Sequence, residues 1–242
     1  IMNRANLEDF EIIDLASTIV AYGLPRRFHK KENNEPSQDS QSNSDDKEFS
    51  DVDWEKIRDL SNLHFVSIEA IESTVRQIVS MSEEKEPDMT KMPMLTENKL
   101  KRVKTSVHDM EKIYKFQNKL RHDPDNITEA IKKIDKFQDI PWWNYECDIA
   151  LINSIAKYGL AKYAIWMIDQ NLPFYKHIPH DALEAFASAA AAEKKKMTSV
   201  NISYENLPND IAILKKRARI DRIKLVIRSV HKIADSKKKQ IP

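Results

Sequence analysis

The densest chemistry in this chain is cationic. Lys215, Lys216, Arg217, Arg219, Arg222, Lys224, Arg228 and Lys232 crowd its final segment, and from Ile211 onward eleven bases stand against only Asp221 and Asp235, a balance of about +9. Opposite charge collects elsewhere: between Glu32 and Glu55 nine acids face the single base Lys47, about −8. The overall net charge of +1 hides this separation. Charge sorted by region implies a polyanion partner for the basic end and none for the acidic one. The start of the basic run offers few Asn or Gln for bidentate reading of adenine, so the chemistry on offer is phosphate contact rather than base readout.

Other reactive side chains do not assemble into a site. His177 and His180 stand three apart with Pro179 between them and no third ligand at suitable spacing, so no metal is expected. The lone cysteine, Cys147, lies beside core positions of a helix and reads as inert; it permits no internal disulfide and fits a reducing compartment. No Ser/His/Asp arrangement is visible. With only two glycines, Gly23 and Gly159, neither GxxxxGK nor GxGxxG can be written, so no catalytic residue and no cofactor is expected. No apolar run is long enough to cross a membrane, and IMNRANLEDF is no signal peptide. The initial Ile reads as the start of an excised piece of a longer chain.

The elements that carry these residues are helical. Scarce glycine argues against a turn-rich β fold, and the apolar residues recur at helical spacing. Leu7, Phe10, Ile13, Leu15, Ile19 and Val20 predict a first helix ended by a left-handed Gly23. The acidic stretch 26–50 predicts a disordered insertion. Trp54, Ile57, Leu60 and Leu63 resume the period, and a third helix opens at Ser67 with Ile68, Ile71, Val75, Ile78 and Val79 inward and Glu69 and Glu72 outward. Residues 83–95 read as a linker. A long basic helix follows from about Thr96 to Arg121, then a short one opened by an Asn126/Glu129 capping box. Beyond Pro141 come Trp142-Trp143, a helix through Ile155 and Gly159, a second helix with Tyr163 and Trp166, an insertion at 176–208 with its own alanine-rich helix, and a last helix from about Asn209 to Ala234.

The halves repeat. An offset of 136 lays Gly159 on Gly23, Tyr158 on Tyr22, Ile155 on Ile19, Leu151 on Leu15 and Trp143 on Leu7. On the last helix, Ile213, Ile223, Ile227, Val230 and Ala234 fall within about 80° of Ile220, leaving Lys215, Arg222, Lys224, Arg228 and Lys232 around the remainder. The competing readings of these bases are a solvated helix face and a nuclear import signal at Lys215–Arg219.

Trp143, apolar positions at helical spacing, Lys157-Tyr158-Gly159 and then Tyr163 resemble a Myb-type three-helix repeat. Together with DWEKIRDLSNLHFVSIEAIESTVRQIVSM, SVHDMEKIYKFQNKLR, PWWNYECDIALINSIAKYG with DQNLPF, and Arg219-Ile220-Asp221 with Ile223, Leu225 and Ile227, the order of segments resembles the SANT-SLIDE region of CHD-type (Kismet-like) chromatin-remodelling ATPases, and more distantly that of ISWI. The resemblance implies an all-α fold: a SANT-like domain at 1–83, a helical spacer at 84–140 and a SLIDE-like domain at 141–242. It further implies a non-catalytic, nuclear module that binds double-stranded DNA flanking a nucleosome and couples it to the rest of the parent remodeller chain. The DNA contacts expected are Lys215, Lys216, Arg217, Arg219, Arg222, Lys224, Arg228 and Lys232, with a secondary contact at Lys101, Arg102 and Lys104. The alternative is a protein-interaction module in which the acidic first unit, through Glu69 and Glu72, takes histone tails or the parent's own motor.

Overall fold

A computed structural model of the chain describes residues 4–27, 49–134, 140–160, 163–194 and 216–238. Among them every regular element is a helix, and the fold is all-α. Contacts gather the chain into two compact units, 1–114 and 115–242. The boundary falls inside the long helix Glu97–His122, so the stretch 84–140 is not a body of its own.

In the first unit, α1 (Asp9–Tyr22), α2 (Trp54–Ser61) and α3 (Ile68–Glu83) pack pairwise. Each begins on a side-chain oxygen. Glu11 accepts from the Glu8 amide (2.8 Å) in a reciprocal capping box, Asp53 from the Lys56 amide (3.1 Å) and Ser67 from the Ala70 amide (3.2 Å). Arg4 neutralises the buried Glu11 carboxylate, and its own backbone is bridged to Val66, fastening the start of the chain to the loop before α3. Leu15, Ile19, Ile57, Ile71, Val75 and Ile78 form the centre of the core.

The same core extends into α4 (Glu97–His122) through Leu100, Val103 and Val107. Met92 and Leu95 are buried in it as well, which corrects the reading of 83–95 as a linker: the segment is largely turn rather than helix, yet it contributes to the core of the unit. Polar side chains of α4 satisfy the carbonyls that α1 leaves unpaired at its end. Ser106 donates to the Val20 carbonyl and Tyr114 to the Tyr22 carbonyl, each at 2.8 Å. Burial pushes the Tyr114 phenol far above its ordinary pKa, so it remains a donor.

The flanks of the acidic insertion meet. Arg26 pairs with Asp51 (2.8 Å), the Arg27 amide donates to the Asp51 carbonyl (2.7 Å), and Phe49 stacks on Trp54. Arg26, Arg27, Phe49 and Ser50 thus belong to the folded unit, and the expected insertion narrows to residues 28–48, which lie outside the described part.

In the second unit the last turns of α4 join α5 (Pro124–Lys132), α6 (Tyr145–Tyr158), α7 (Tyr163–Met167), a short 3-10 turn (Tyr175–His177), α8 (His180–Lys194) and α9 (Lys216–Lys238). Asp123-Pro124 does more than break α4. Pro124 takes the first position of α5, where its missing N–H costs nothing, and the Asn126 amide donates to the Asp123 carboxylate instead of opening a capping box with Glu129. Trp143 stacks on Phe174, and Trp166 meets that ring edge-on, at centroid distances of 5.9 and 5.5 Å. Ala182, Phe186, Ala189 and Ala190 of α8 are also buried, and α8 packs on α7. The first half of the supposed insertion at 176–208 is therefore core; residues 195–215 lie outside the described part.

The internal repeat is visible in α1 and α6. Both are 14 residues long, and the offset of 136 maps Asp9 on Tyr145 and Tyr22 on Tyr158, end on end. Glu11/Cys147, Leu15/Leu151, Ala16/Ile152, Thr18/Ser154 and Ile19/Ile155 are buried in both helices. Gly23 and Gly159 follow with φ of 60° and 87° but ψ of −140° and 157°. Their φ is positive as expected. Their ψ lies outside the left-handed helical basin, in a region open essentially to glycine alone.

Candidate nucleic-acid interface

Helix α9 lies on α5 and α6 and buries Arg222, Ile223, Val226, Ile227 and Val230. Arg222 is the surprise in that series. Expected on DNA, it is 6% exposed, its Nε donates to Asp148 Oδ1 (2.8 Å) and its Nη2 to Asp148 Oδ2 (2.7 Å). Asp148, 2% exposed, accepts from Trp143 Nε1 on the same Oδ1 at 2.8 Å. A guanidinium buried in a bidentate fork on a carboxylate that also holds an indole N–H is out of reach of a phosphate. The assignment of Arg222 as a DNA contact is corrected accordingly: it is a buried ion-pair partner joining α9 to α6.

Of the other expected contacts, Arg228 and Lys232 are exposed and Lys224 is half-buried. Lys216, Arg217 and Arg219 belong to the first turn of α9, and their side chains, like all of Lys215, lie outside the described part. Counting 100° per residue, Lys224, Arg228 and Lys232 sit within about 50° of the direction opposite the buried face. Asp221 and Leu225 share that side. Leu225 is 45% exposed, an apolar side chain on a face that otherwise carries charge.

A second source of positive charge joins this face. Lys119, near the end of α4, brings its Nζ to within 2.8 Å of Nε2 of His231 on α9. Gln117 holds the same turn of α4 to α6 by donating to Asn153 Oδ1 (2.9 Å), and Phe116 is buried beneath it. Lys115 and Lys119 are exposed on that turn. The second unit thus gathers Lys119, Lys224, Arg228, His231 and Lys232 from two helices. Sequence reasoning missed the junction because it rests on a contact across 112 residues.

Asp148 was missed too, although its spacing carried a signal. It stands at helical intervals from Leu151, Ile152 and Ile155, on an otherwise apolar face, and an acid there must bring in a cation.

In the first unit, Lys101, Arg102 and Lys104 are all exposed on α4. Lys104 reaches Glu83 (2.9 Å) and Lys101 approaches Glu97 at 3.8 Å, surface pairs that cost little to exchange. Lys99 is not part of this surface: it turns inward to donate to Ser17 Oγ (2.8 Å), and burial first, then nearby Arg102, lowers its pKa. Glu72 is half-buried and engaged by Arg76 (2.8 Å), whose guanidinium also covers the Phe49 ring; Glu69 is exposed.

His177 stacks on Trp142, and His180 faces Glu184 at 3.5 Å; among the described residues no three potential ligands stand together as a metal site. Among those residues, too, no helix is long and apolar enough to cross a membrane. Cys147 is buried, which pushes its thiol pKa up. In the native protein it should react with a maleimide at least about a hundredfold more slowly than in urea-unfolded chain; equal rates would show that the thiol is accessible.

Comparison of the chain with protein-family models, with curated proteins and with solved structures finds no match to any of them.

Proposed function

We propose that this chain is a non-catalytic DNA-binding region of a CHD-type chromatin-remodelling ATPase, acting in the nucleus on the duplex beside a nucleosome. In this reading its second unit holds DNA through phosphate contacts. The observation that carries it is the outer face of α9, where Arg228 and Lys232 point away from the core and Lys119 joins them through His231. Side chains of this kind, carried on two helices, track a phosphate backbone and ignore base identity. The order of segments described above supplies the remodeller context, and the end-on-end match of α1 and α6 is what two related Myb-like units require.

The rival reading, a basic peptide held by Glu69 and Glu72, is weaker, because Glu72 is already committed to Arg76. Lys119→Ala, Arg228→Ala and Lys232→Ala combined should weaken duplex binding about tenfold or more, measured by gel shift at low salt. Charge neutralisation at Glu69 and Glu72 should leave it unchanged. Unaltered affinity in the triple variant, with helicity intact, would remove the assignment.

A further inference from the structure

The contact between Lys119 and His231 fixes a protonation state. Nζ of Lys119 stands 2.8 Å from Nε2 of His231, and both side chains are exposed. A lysine ammonium can only donate, and it keeps its proton far above the pH at which an imidazole loses its own. Nε2 is therefore the acceptor, and the His231 ring is neutral with its proton on Nδ1. The surroundings hold it there. Lys224 and Arg228 precede His231 by seven and three residues, which puts them on its side of α9, and Lys232 follows it. On α4, Lys115 and His122 lie about one turn either side of Lys119, with Arg121 beside them. Of the charges on the other helices packed against α9, Glu129 of α5 pairs with Lys132 (2.7 Å), and Asp148 of α6 with Arg222. Asp123 and Asp125 open α5 and Lys133 follows it, while Glu146 and Lys157 stand at the two ends of α6. On α9 itself Asp221 is about 15 Å along the axis from His231, and the side chain of Asp235 lies outside the described part. A proton arriving at Nε2 meets an ammonium at hydrogen-bond distance.

A phosphate reverses the balance. Placed between the two side chains, its oxygens take the Lys119 donor, which frees Nε2 to bind a proton from water and to donate in turn. Anionic oxygen and imidazolium then favour each other, where ammonium and imidazolium did not. We propose that Lys119 and His231 form a proton-linked clamp for one backbone phosphate: bound duplex holds His231 as the cation, and the free chain holds it neutral. The clamp deepens the DNA-binding reading and rests on it. Its sign follows from the proton count. The bound state carries one proton more, so affinity rises as pH falls through the imidazole range, by no more than the ratio of the two proton affinities of the ring. Lysine and arginine on the same face keep their charge throughout that range, so the dependence belongs to histidine.

Two measurements on the full chain decide it. Duplex affinity is read by fluorescence anisotropy at one low salt concentration, from about pH 8 to about pH 6. The wild-type chain should gain about threefold or more beyond any gain shown by His231→Gln, in which the other histidines, His122 included, still titrate. The ring itself is followed by NMR, its signal assigned by its loss in His231→Gln. The pKa of His231 should rise by about half a unit or more on saturation with a duplex of about 20 base pairs, and it should also rise in the free chain on Lys119→Ala. The same pH response in wild type and His231→Gln, or a His231 pKa indifferent to either the duplex or Lys119→Ala, would overturn the clamp. If duplex does not bind at any pH, the DNA-binding reading fails and the linkage with it, whereas the Lys119→Ala titration of the free chain still decides whether the pair exists.

Discussion

Arg222→Ala should destabilise the second unit by about 3 to 5 kcal/mol, measured by urea unfolding followed at the tryptophans. The size follows from what is left behind. Asp148 is short, 2% exposed and carried on a helix packed over its whole inner face, so its carboxylate cannot swing to water once the guanidinium is gone. One oxygen keeps the Trp143 N–H and the other loses its only described donor. Asp148→Asn should cost less, because the stranded partner is then a long, flexible side chain that can reach toward water. A loss below about 1 kcal/mol for Arg222→Ala would mean that the pair is solvated and does not tie α9 to α6.

Gly23→Ala should cost about 2 to 5 kcal/mol, more than the usual glycine C-cap. Two effects add. A side chain at φ 60° and ψ −140° is strained against its own backbone, and a Cβ built there would fall 2.5 Å from Met110 Cβ and 3.3 Å from the Ser106 carbonyl. Neither is a flexible chain end that could step aside, since Ser106 and Met110 belong to the buried face of α4. Gly159→Ala, with φ 87° and ψ 157°, should cost about 1 to 3 kcal/mol from the backbone alone. Thermal unfolding of both variants checks the order, and equal, near-zero shifts would contradict the geometry at both caps.

Local signals in the sequence agree with the structure where local physics decides. Ser67 caps α3, Thr96 precedes the long basic helix, Asp123-Pro124 ends it, and the two glycines close α1 and α6. Trp54, Trp143 and Trp166 are core, as their spacing from neighbouring apolar residues demands. Errors came where tertiary contacts override the local pattern. Met92 and Leu95 lack helical neighbours of their own and are buried in the core that α1 and α4 share. Arg222 counts as a surface base in any tally of charge, and only Asp148, 74 residues away, turns it inward. The phosphate-binding face was legible as a basic helix. Its true composition, with Arg222 removed and Lys119 added, was not, because both changes rest on contacts made across 74 and 112 residues.

The most direct measurement is a salt titration of the 242-residue chain on a duplex of about 20 to 30 base pairs, by fluorescence anisotropy from about 50 to 200 mM salt. With about five phosphates neutralised, log affinity should fall against log salt with a slope near −4 to −5, and two unrelated duplexes should bind within about threefold of each other. No binding at the lowest salt, or a shallow slope together with strong preference for one duplex, would contradict phosphate-dominated DNA binding by this chain.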